Sequence, residues 1–571
     1  MCGIAGIFSS FLGLEDRKRK LEAMLQAQEH RGPDAMQEWH DSFCSLGHNR
    51  LSIIDLSINA NQPMPSSCGR YVIVFNGEIY NYLELKKKLL PHFQFQTQSD
   101  TEVLLNAYIH WGTDFLHQLN GMFAIAIWDQ EVKKLFIARD RFGVKPFYYF
   151  AAAQQFIFAS EIKTLWASGI KKTPNQKVWA NYLSFGTYGM PNETFWNSIH
   201  QLPAGHFAVL SLDNFTSFTP QRWYHFVSRV YDTPILEVSE LKERYAALLN
   251  DAIQLRFRAD VPLGMNVSGG LDSSTLIALI HQNLPTTKNI EAFTFYCNDV
   301  NYDELPWVEL LLNDKPYLLH KVLLNSADVP KLITTLSQNQ DEPFGGFPTL
   351  AYSLLFQEAR KKGIKVLLDG QGMDEAWAGY DYYHNQSQQV IQGVRSSPVR
   401  PEVLVADFAV LSEKEVYPQP FVSSMQNMQY RDLFYTKIPR ALRFNDRISM
   451  LHGTELREPF LDYRLVELAF AQKDSTKYNQ GNTKWLLRQI SKELLSNQVA
   501  LALKRPLQTP QREWIANELN EYVSEKIQEF GQLNFVDQNK VEQIWQDYRN
   551  GNQDNSFYIW QWINTAIALQ D

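Results

Sequence analysis

Cysteine is scarce in this chain, with four in 571 residues, at positions 2, 44, 68 and 297. They stand too far apart for a CxxC pair or a Cys/His metal spacing, and they are too few to staple a secreted scaffold. That usage suits a reducing compartment, and the expected location is the cytoplasm. Long apolar runs are missing too. The apolar stretch at residues 4–8 is too short for a signal peptide and has no basic flank before it. Nothing approaches the ~18 apolar residues of a membrane-spanning helix, so no membrane is expected as partner. Basic excess is a third absence. A net charge of −8 gives no reason to expect nucleic acid or an acidic membrane surface. Internal repeats and low-complexity tracts are absent as well.

What is present describes a globular protein: 45% apolar and 20% charged residues. The length exceeds what one hydrophobic core usually serves, so two domains are expected. The N-terminal third carries short β-like runs at 3–8, 71–75, 123–128, 134–138 and 147–150, with helical patterns only at 14–29 and 101–111. Sheets packed face to face with a few helices account for that rhythm. It changes after Pro203-Ala204-Gly205-His206, and residues 207–238 hold one strand-like run and then linker. A helical pattern starts at Ser239. Strand-like runs at 261–267, 292–296 and 365–369 then alternate with helical segments, as βα units of a parallel sheet do. The final quarter is mostly helical. Domains of 2–210 and 235–571 follow.

Only Met1 stands before Cys2. Removing Met1 would leave a thiol and a free α-amine on one residue. With a pKa near ~7.7–8.0 in model compounds, that amine can take the thiol proton and act as the nucleophile's own base. A cysteine in second place means little by itself; its context decides.

Ser268-Gly269-Gly270-Leu271-Asp272-Ser273-Ser274 follows an apolar strand and opens a helix. The glycines let the backbone turn so that several N–H groups face one anion, and the helix N-terminus adds its positive dipole end. The serines offer hydroxyls, and Asp272 offers a Mg²⁺ ligand beside the phosphates. Without Gly-Lys-Ser/Thr this is not a Walker A loop. It resembles the pyrophosphate loop of enzymes that split ATP between the α and β phosphates. Joined to Met1-Cys2-Gly3-Ile4-Ala5-Gly6, it makes almost the whole chain similar to the glutamine-hydrolysing asparagine synthetase family.

The resemblance implies an α/β protein of two domains. The first would be an αββα N-terminal-nucleophile hydrolase sandwich. The second would be a parallel-sheet ATP-pyrophosphatase domain with a helical C-terminal region. It also implies small-molecule substrates: glutamine, ATP with Mg²⁺, and a carboxylate acceptor, by default aspartate; a homodimer is left open. Cys2 would attack the glutamine carboxamide and release ammonia. Segments 30–34 and 47–55 match the family, and Arg50 would hold the substrate carboxylate by paired hydrogen bonds. Asn76 and Gly77 would form the oxyanion hole, and Glu78 and Asp100 would bind the substrate ammonium. By themselves, Asn76-Gly77 reads as a hairpin turn and Asp100 as a helix N-cap.

In the second half, the resemblance places Ser268, Gly269, Gly270, Asp272, Ser273, Ser274 and Gly370 at ATP and pyrophosphate. Asp374 would be a second Mg²⁺ ligand facing Asp272, and Lys484 would neutralise phosphate charge as pyrophosphate departs. Lys504-Arg505-Pro506 would add positive charge. Segments 446–450 and 455–462 match a helical region of the family. One motif departs. Gln371 stands where the asparagine-forming pattern has glutamate, and Asp369 where it has serine. Glutamine cannot act as a base, so Asp369 and Gln371 mark the acceptor site. Either the product is asparagine regardless, or the acceptor is another carboxylate, such as a uronic acid or a natural-product precursor. A nucleic-acid-modifying relative would carry CxxC pairs and a basic surface, which are lacking. A non-catalytic binding protein would not need the full set around Cys2.

Overall fold

The computed structural model describes residues 2–212, 214–215, 218–283, 290–384, 398–500 and 508–570. Lys504-Arg505-Pro506 lies outside them. In the N-terminal half two antiparallel six-stranded sheets stack face to face. The first runs, in spatial order, His200–Gln201, Tyr148–Ala152, Gln155–Ala159, Gly3–Ser9, Cys44–Arg50 and Ala35–His40. The second runs Gln221–Arg222, His206–Ser211, Lys134–Arg139, Gly121–Asp129, Tyr71–Ile79 and Met64–Pro65.

Side-chain alternation explains why both faces of each sheet are covered. On the first strand Ile4 and Phe8 enter the core between the sheets, while Ala5 and Ile7 pack under Leu21, Met24 and Leu25 of the helix Leu14–Ala27. On Tyr71–Ile79, Val72 and Val74 point into the same inter-sheet core, and Ile73 and Phe75 meet Val103 and Leu104 of the helix Asp100–Trp111. The layers are therefore helix, sheet, sheet, helix, as the αββα expectation has it.

The second half is built on a five-stranded parallel sheet ordered Leu318–Leu323, Glu291–Tyr296, Leu263–Asn266, Val366–Leu368, Glu455–Arg457. Helices cover both faces: Leu271–Asn283 packs with Met265 and Leu368, and Phe347–Lys361 with Phe293 and Leu367. The chain leaves Leu263–Asn266 in one direction along the sheet and returns on its other side at Val366–Leu368. The crevice between those two strand ends is where such sheets bind ligands. C-terminal helices pack beside it, and Trp377, Trp560 and Trp562 are core residues. Among the described residues no helix is long and apolar enough to cross a membrane.

Four local expectations need correction. Helices in the N-terminal half are not confined to 14–29 and 101–111, since Tyr82–Leu89 and Gln176–Phe185 are helical too. Asn76-Gly77 is not a turn, because the strand continues to Ile79 and Gly77 pairs with Phe123. A Cβ on Gly77 would lie 2.0 Å from the Met122 carbonyl oxygen, so only glycine lets the neighbouring strand come this close. Asp100 is the first helical residue rather than the cap; Ser99 Oγ accepts from Glu102 N–H at 3.2 Å. Glu455–Arg457, matched to a helical region, is the edge strand of the parallel sheet.

Candidate active site

Two clusters of chemically capable side chains lie at the ends of these sheets. Alternation fixes the first. Asn76 and Glu78 share the face of Val72 and Val74, so they point between the sheets, where Cys2 also points as the residue two before Ile4. The Cys2 N–H donates to Asn76 Oδ1 at 3.0 Å, and this is the nitrogen that loss of Met1 would free. With its oxygen so engaged, the Asn76 amide leaves Nδ2 buried with no partner. Burial raises the Cys2 thiol, so it needs a base before it can attack.

The expected glutamine-binding residues gather around this point unevenly. Glu78 and Asp100 are buried; Asp100 Oδ2 accepts from Ile79 N–H at 2.9 Å, and burial pushes its carboxyl up to about 6. Burial, with Glu455 nearby, pushes Glu78 well above the usual range. Arg50 is already engaged: Nη1 donates to Ser57 O and Asn61 Oδ1, both at 2.7 Å, and Nη2 to Asp55 O. To hold a substrate carboxylate it must exchange one of these for it.

Partners from the second half, which no local signal in the sequence marks, close this end. Glu78 lies 3.3 Å from Arg457 Nη2 on the edge strand of the parallel sheet. Arg31 Nε donates to the Cys2 carbonyl at 3.1 Å. The same guanidinium forks onto Asp446, at 2.9 and 3.2 Å, and reaches Glu161 at 2.8 Å. Glu161 also meets His30, Lys163 and Arg447, each at 3.1 Å. Against the cost of its burial these cations hold Glu161 well below the ordinary carboxylate range.

The second cluster occupies the crevice of the parallel sheet. Gly269 has φ +68°, and a Cβ there would meet Trp307 Cβ at 2.9 Å; glycine is required for the loop to turn. Ser268 and Ser273 hydroxyls lie 3.1 Å apart on a hollow that both line. Ser274, by contrast, is fully buried, and its N–H is used on Gly270 O at 2.9 Å. Gly370 approaches this loop so closely that a Cβ would be 3.5 Å from Asp272 Cβ. Lys484 Nζ bridges Asp272 Oδ2 at 2.5 Å and Asp374 Oδ1 at 2.7 Å, drawing the two expected metal ligands together. Burial pulls the Lys484 ammonium down, but the two carboxylates outweigh it and hold the group above its ordinary value.

Lys484 itself sits at φ +52°, a left-handed conformation that costs a non-glycine residue on the order of 1 kcal/mol and gathers at functional sites. Gly379 makes the bridge possible. A Cβ there would fall 2.0 Å from Asp374 Oδ1 and 2.2 Å from Lys484 Cε. Nothing in the sequence pattern singled Gly379 out, since its partner is more than a hundred positions away in the chain.

With both clusters placed, the comparison with known proteins is direct. Residues 1–224 match a glutamine amidotransferase domain, and residues 244–570 match asparagine synthase. The chain belongs to the asparagine synthase family. It is 28% identical to asparagine synthetase [glutamine-hydrolyzing] 1 of Bacillus subtilis (strain 168), over 98% of this chain and 95% of that one. Asparagine synthetase [glutamine-hydrolyzing] 2 of the same organism is 32% identical over 82% of this chain and 66% of its own length. Amidase chry2 of Gibberella zeae is 25% identical over 91% of this chain and 89% of its own. As a member of the asparagine synthase family the chain is a glutamine-dependent amidotransferase of the ligase type.

A cavity lies between the two halves, lined by Met122, Arg141 and Val144 from one and Arg256, Glu458 and Leu461 from the other. Met122 is the cross-strand neighbour of Glu78, so the cavity opens beside the first cluster. Burial raises three carboxyls at these sites: Asp100 beside the first cluster and Asp369 behind the phosphate loop to about 6, and Glu458 on the cavity to about 8. The folded chain therefore keeps protons on these groups that an unfolded chain releases near pH ~4, and their contribution to stability falls as pH rises through these values, while the buried neutral His48 and His452 act the other way below about pH 6.5. Between about pH 5.5 and about pH 8 the urea midpoint of the ligand-free protein is expected to fall relative to that of Glu458→Gln. The same change with pH in both proteins would contradict the raised Glu458 carboxyl.

Proposed function

We propose that the protein converts a carboxylic acid to its amide, with nitrogen from glutamine and energy from splitting ATP to AMP and pyrophosphate. The default acceptor is aspartate and the default product asparagine. The observation that carries the reading is the state of Asn76, whose oxygen is taken by the Cys2 nitrogen while its buried Nδ2–H has no partner. A buried donor without a partner costs ~1–3 kcal/mol, and a developing oxyanion would satisfy it.

On this reading the free amine of Cys2 takes the thiol proton and the sulfur attacks the glutamine carboxamide carbon. Asn76 Nδ2 and Gly77 N–H receive the negative oxygen. The amine returns the proton to the leaving nitrogen, ammonia departs, and water releases glutamate from the thioester. In the second half the phosphate loop cradles ATP, and Lys484 balances charge on the departing pyrophosphate. Asp272 and Asp374 would hold Mg²⁺. Two hard carboxylates suit that ion, which binds through one or two such groups and completes its shell with phosphate oxygens and water. Bound there, Mg²⁺ would offset the charge of the phosphates.

Gln371 and Asp369 support a second reading, the same chemistry on a carboxylate other than aspartate, and a relative named as an amidase shows that the family is not uniform in name. A screen of carboxylates with glutamine, ATP and Mg²⁺ separates them. Aspartate-dependent release of AMP with asparagine formed supports the default. AMP release with another acid and none with aspartate selects the second reading, and no carboxylate-dependent AMP at all would sink both.

A further inference from the structure

The strands Val366–Leu368 and Glu455–Arg457 run parallel and end level. Leu368 pairs with Arg457, and Asp369 N–H donates to the Arg457 carbonyl at 3.0 Å. One residue on, Asp369 and Glu458 hold neighbouring places at the C-terminal edge of the sheet, both only 5% exposed. They look into different spaces. Asp369 lines the hollow behind the phosphate loop with Ser268 and Ser273, and Glu458 lines the cavity between the halves with Met122 and Arg256. From adjacent strand ends, one of these two acids therefore faces the cavity between the halves and the other the nucleotide crevice.

Gln371, on the loop just beyond, is an amide and cannot accept a proton. We propose that Glu458 is the base of the amidation step in this chain, taking a proton from ammonia as it attacks the activated carboxylate. The inference rests on the amidation reading above. In the step, the nitrogen lone pair forms the C–N bond and the carbonyl π pair moves onto oxygen. That pair then re-forms the C=O bond as the C–O bond to AMP breaks. AMP leaves with the electrons of that bond, and the N–H proton goes to the Glu458 carboxylate. Around Glu458 stand Lys145, Asp369, Arg256 and Asp446. Burial acts first and Asp369 adds to it, against the two cations, so the carboxyl titrates at about 8. A base poised near working pH is the kind that proton transfer favours.

The test uses the full chain with the acceptor that turns over, recording amide and AMP with glutamine or ammonium salt as nitrogen source. Glu458→Gln is expected to lower amide formed per AMP released by about 100-fold, since water then consumes the activated acid. Adding Gln371→Glu to that variant is expected to recover at least about tenfold of the loss, because it supplies a carboxylate on the loop just beyond Asp369. The pH dependence of the parent, rising through about 8, is expected to move in Glu458→Asp. A Glu458→Gln enzyme whose amide-to-AMP ratio stays within about threefold of the parent, with the same pH profile, overturns the proposal. If Glu458→Gln does not fold, Glu458→Asp decides, and an unmoved ratio and pH profile overturn it equally. A parent that releases no AMP with any carboxylate overturns the amidation reading itself, a result distinct from a variant that keeps its ratio.

Discussion

Alanine in place of Cys2 is expected to end amide formation from glutamine while amide formation from ammonium salt continues. On the proposed reading the thiol is the nucleophile, and because burial raises it, it relies on the amine of the same residue. Removing such a nucleophile elsewhere costs up to ~10⁶ in rate, so a fall of at least ~10³ in glutamate release is the expected scale. Ammonium supplied from solution bypasses that chemistry. The crevice proposed to activate the acceptor is built on residues of the second half, namely the phosphate loop, Asp374 and Lys484. The measurement is glutamate and amide release with each nitrogen source in parallel. Retained glutamate release would remove Cys2 from its role.

The second large effect is expected at Lys484. In Lys484→Met, acceptor-dependent AMP and pyrophosphate release should fall by ~10²–10³, the scale seen when one preorganised charge partner is taken from a transition state. Asp272 and Asp374 would then face one another without their bridging cation. Their side chains are 19% and 22% exposed, so water and counter-ions relieve part of that repulsion and the fold should survive. Glutamine hydrolysis at the first cluster serves as the check that it has. Lys484→Arg is expected to rescue little, because Gly379 crowds the Lys484 stem and a planar fork needs more width than a single ammonium. Near-normal AMP release by Lys484→Met would rule out its role at the phosphates.

Local patterns in the sequence carried much of the fold. The alternation of residues 3–8 and 71–75, and the βα rhythm after Ser239, are local properties; the first two strands run up to a few residues longer than expected, while Leu263–Asn266 and Val366–Leu368 are shorter than the runs 261–267 and 365–369. Asn76-Gly77 misled for a physical reason. The dipeptide favours turns when nothing crosses it, but here a neighbouring strand passes within contact of the Gly77 Cα and keeps the chain extended. The chemistry of the phosphate loop was legible because its glycines, serines and aspartate are contiguous. The Arg31–Asp446 fork, the Glu78–Arg457 pair and the space that Gly379 leaves were not, because each depends on residues brought together from distant parts of the chain. Glu458 is a similar case. Nothing about a glutamate before Pro459 distinguishes it until the parallel register sets it beside Asp369.

The fork from Arg31 to Asp446 bears on how freely such a protein can be taken apart and recombined. The carbonyl of the attacking residue is gripped by an arginine whose two ends belong, through Asp446, to the other half. A glutaminase half grafted onto a foreign synthetase would keep Arg31 and Glu161 but lose the second acid on Arg31, leaving a wholly buried guanidinium short of one counter-charge. The halves are thus not interchangeable cassettes. Chimeras should work only when the helix Lys437–Leu451 travels with the N-terminal portion, or when the incoming synthetase supplies an acid at the same height.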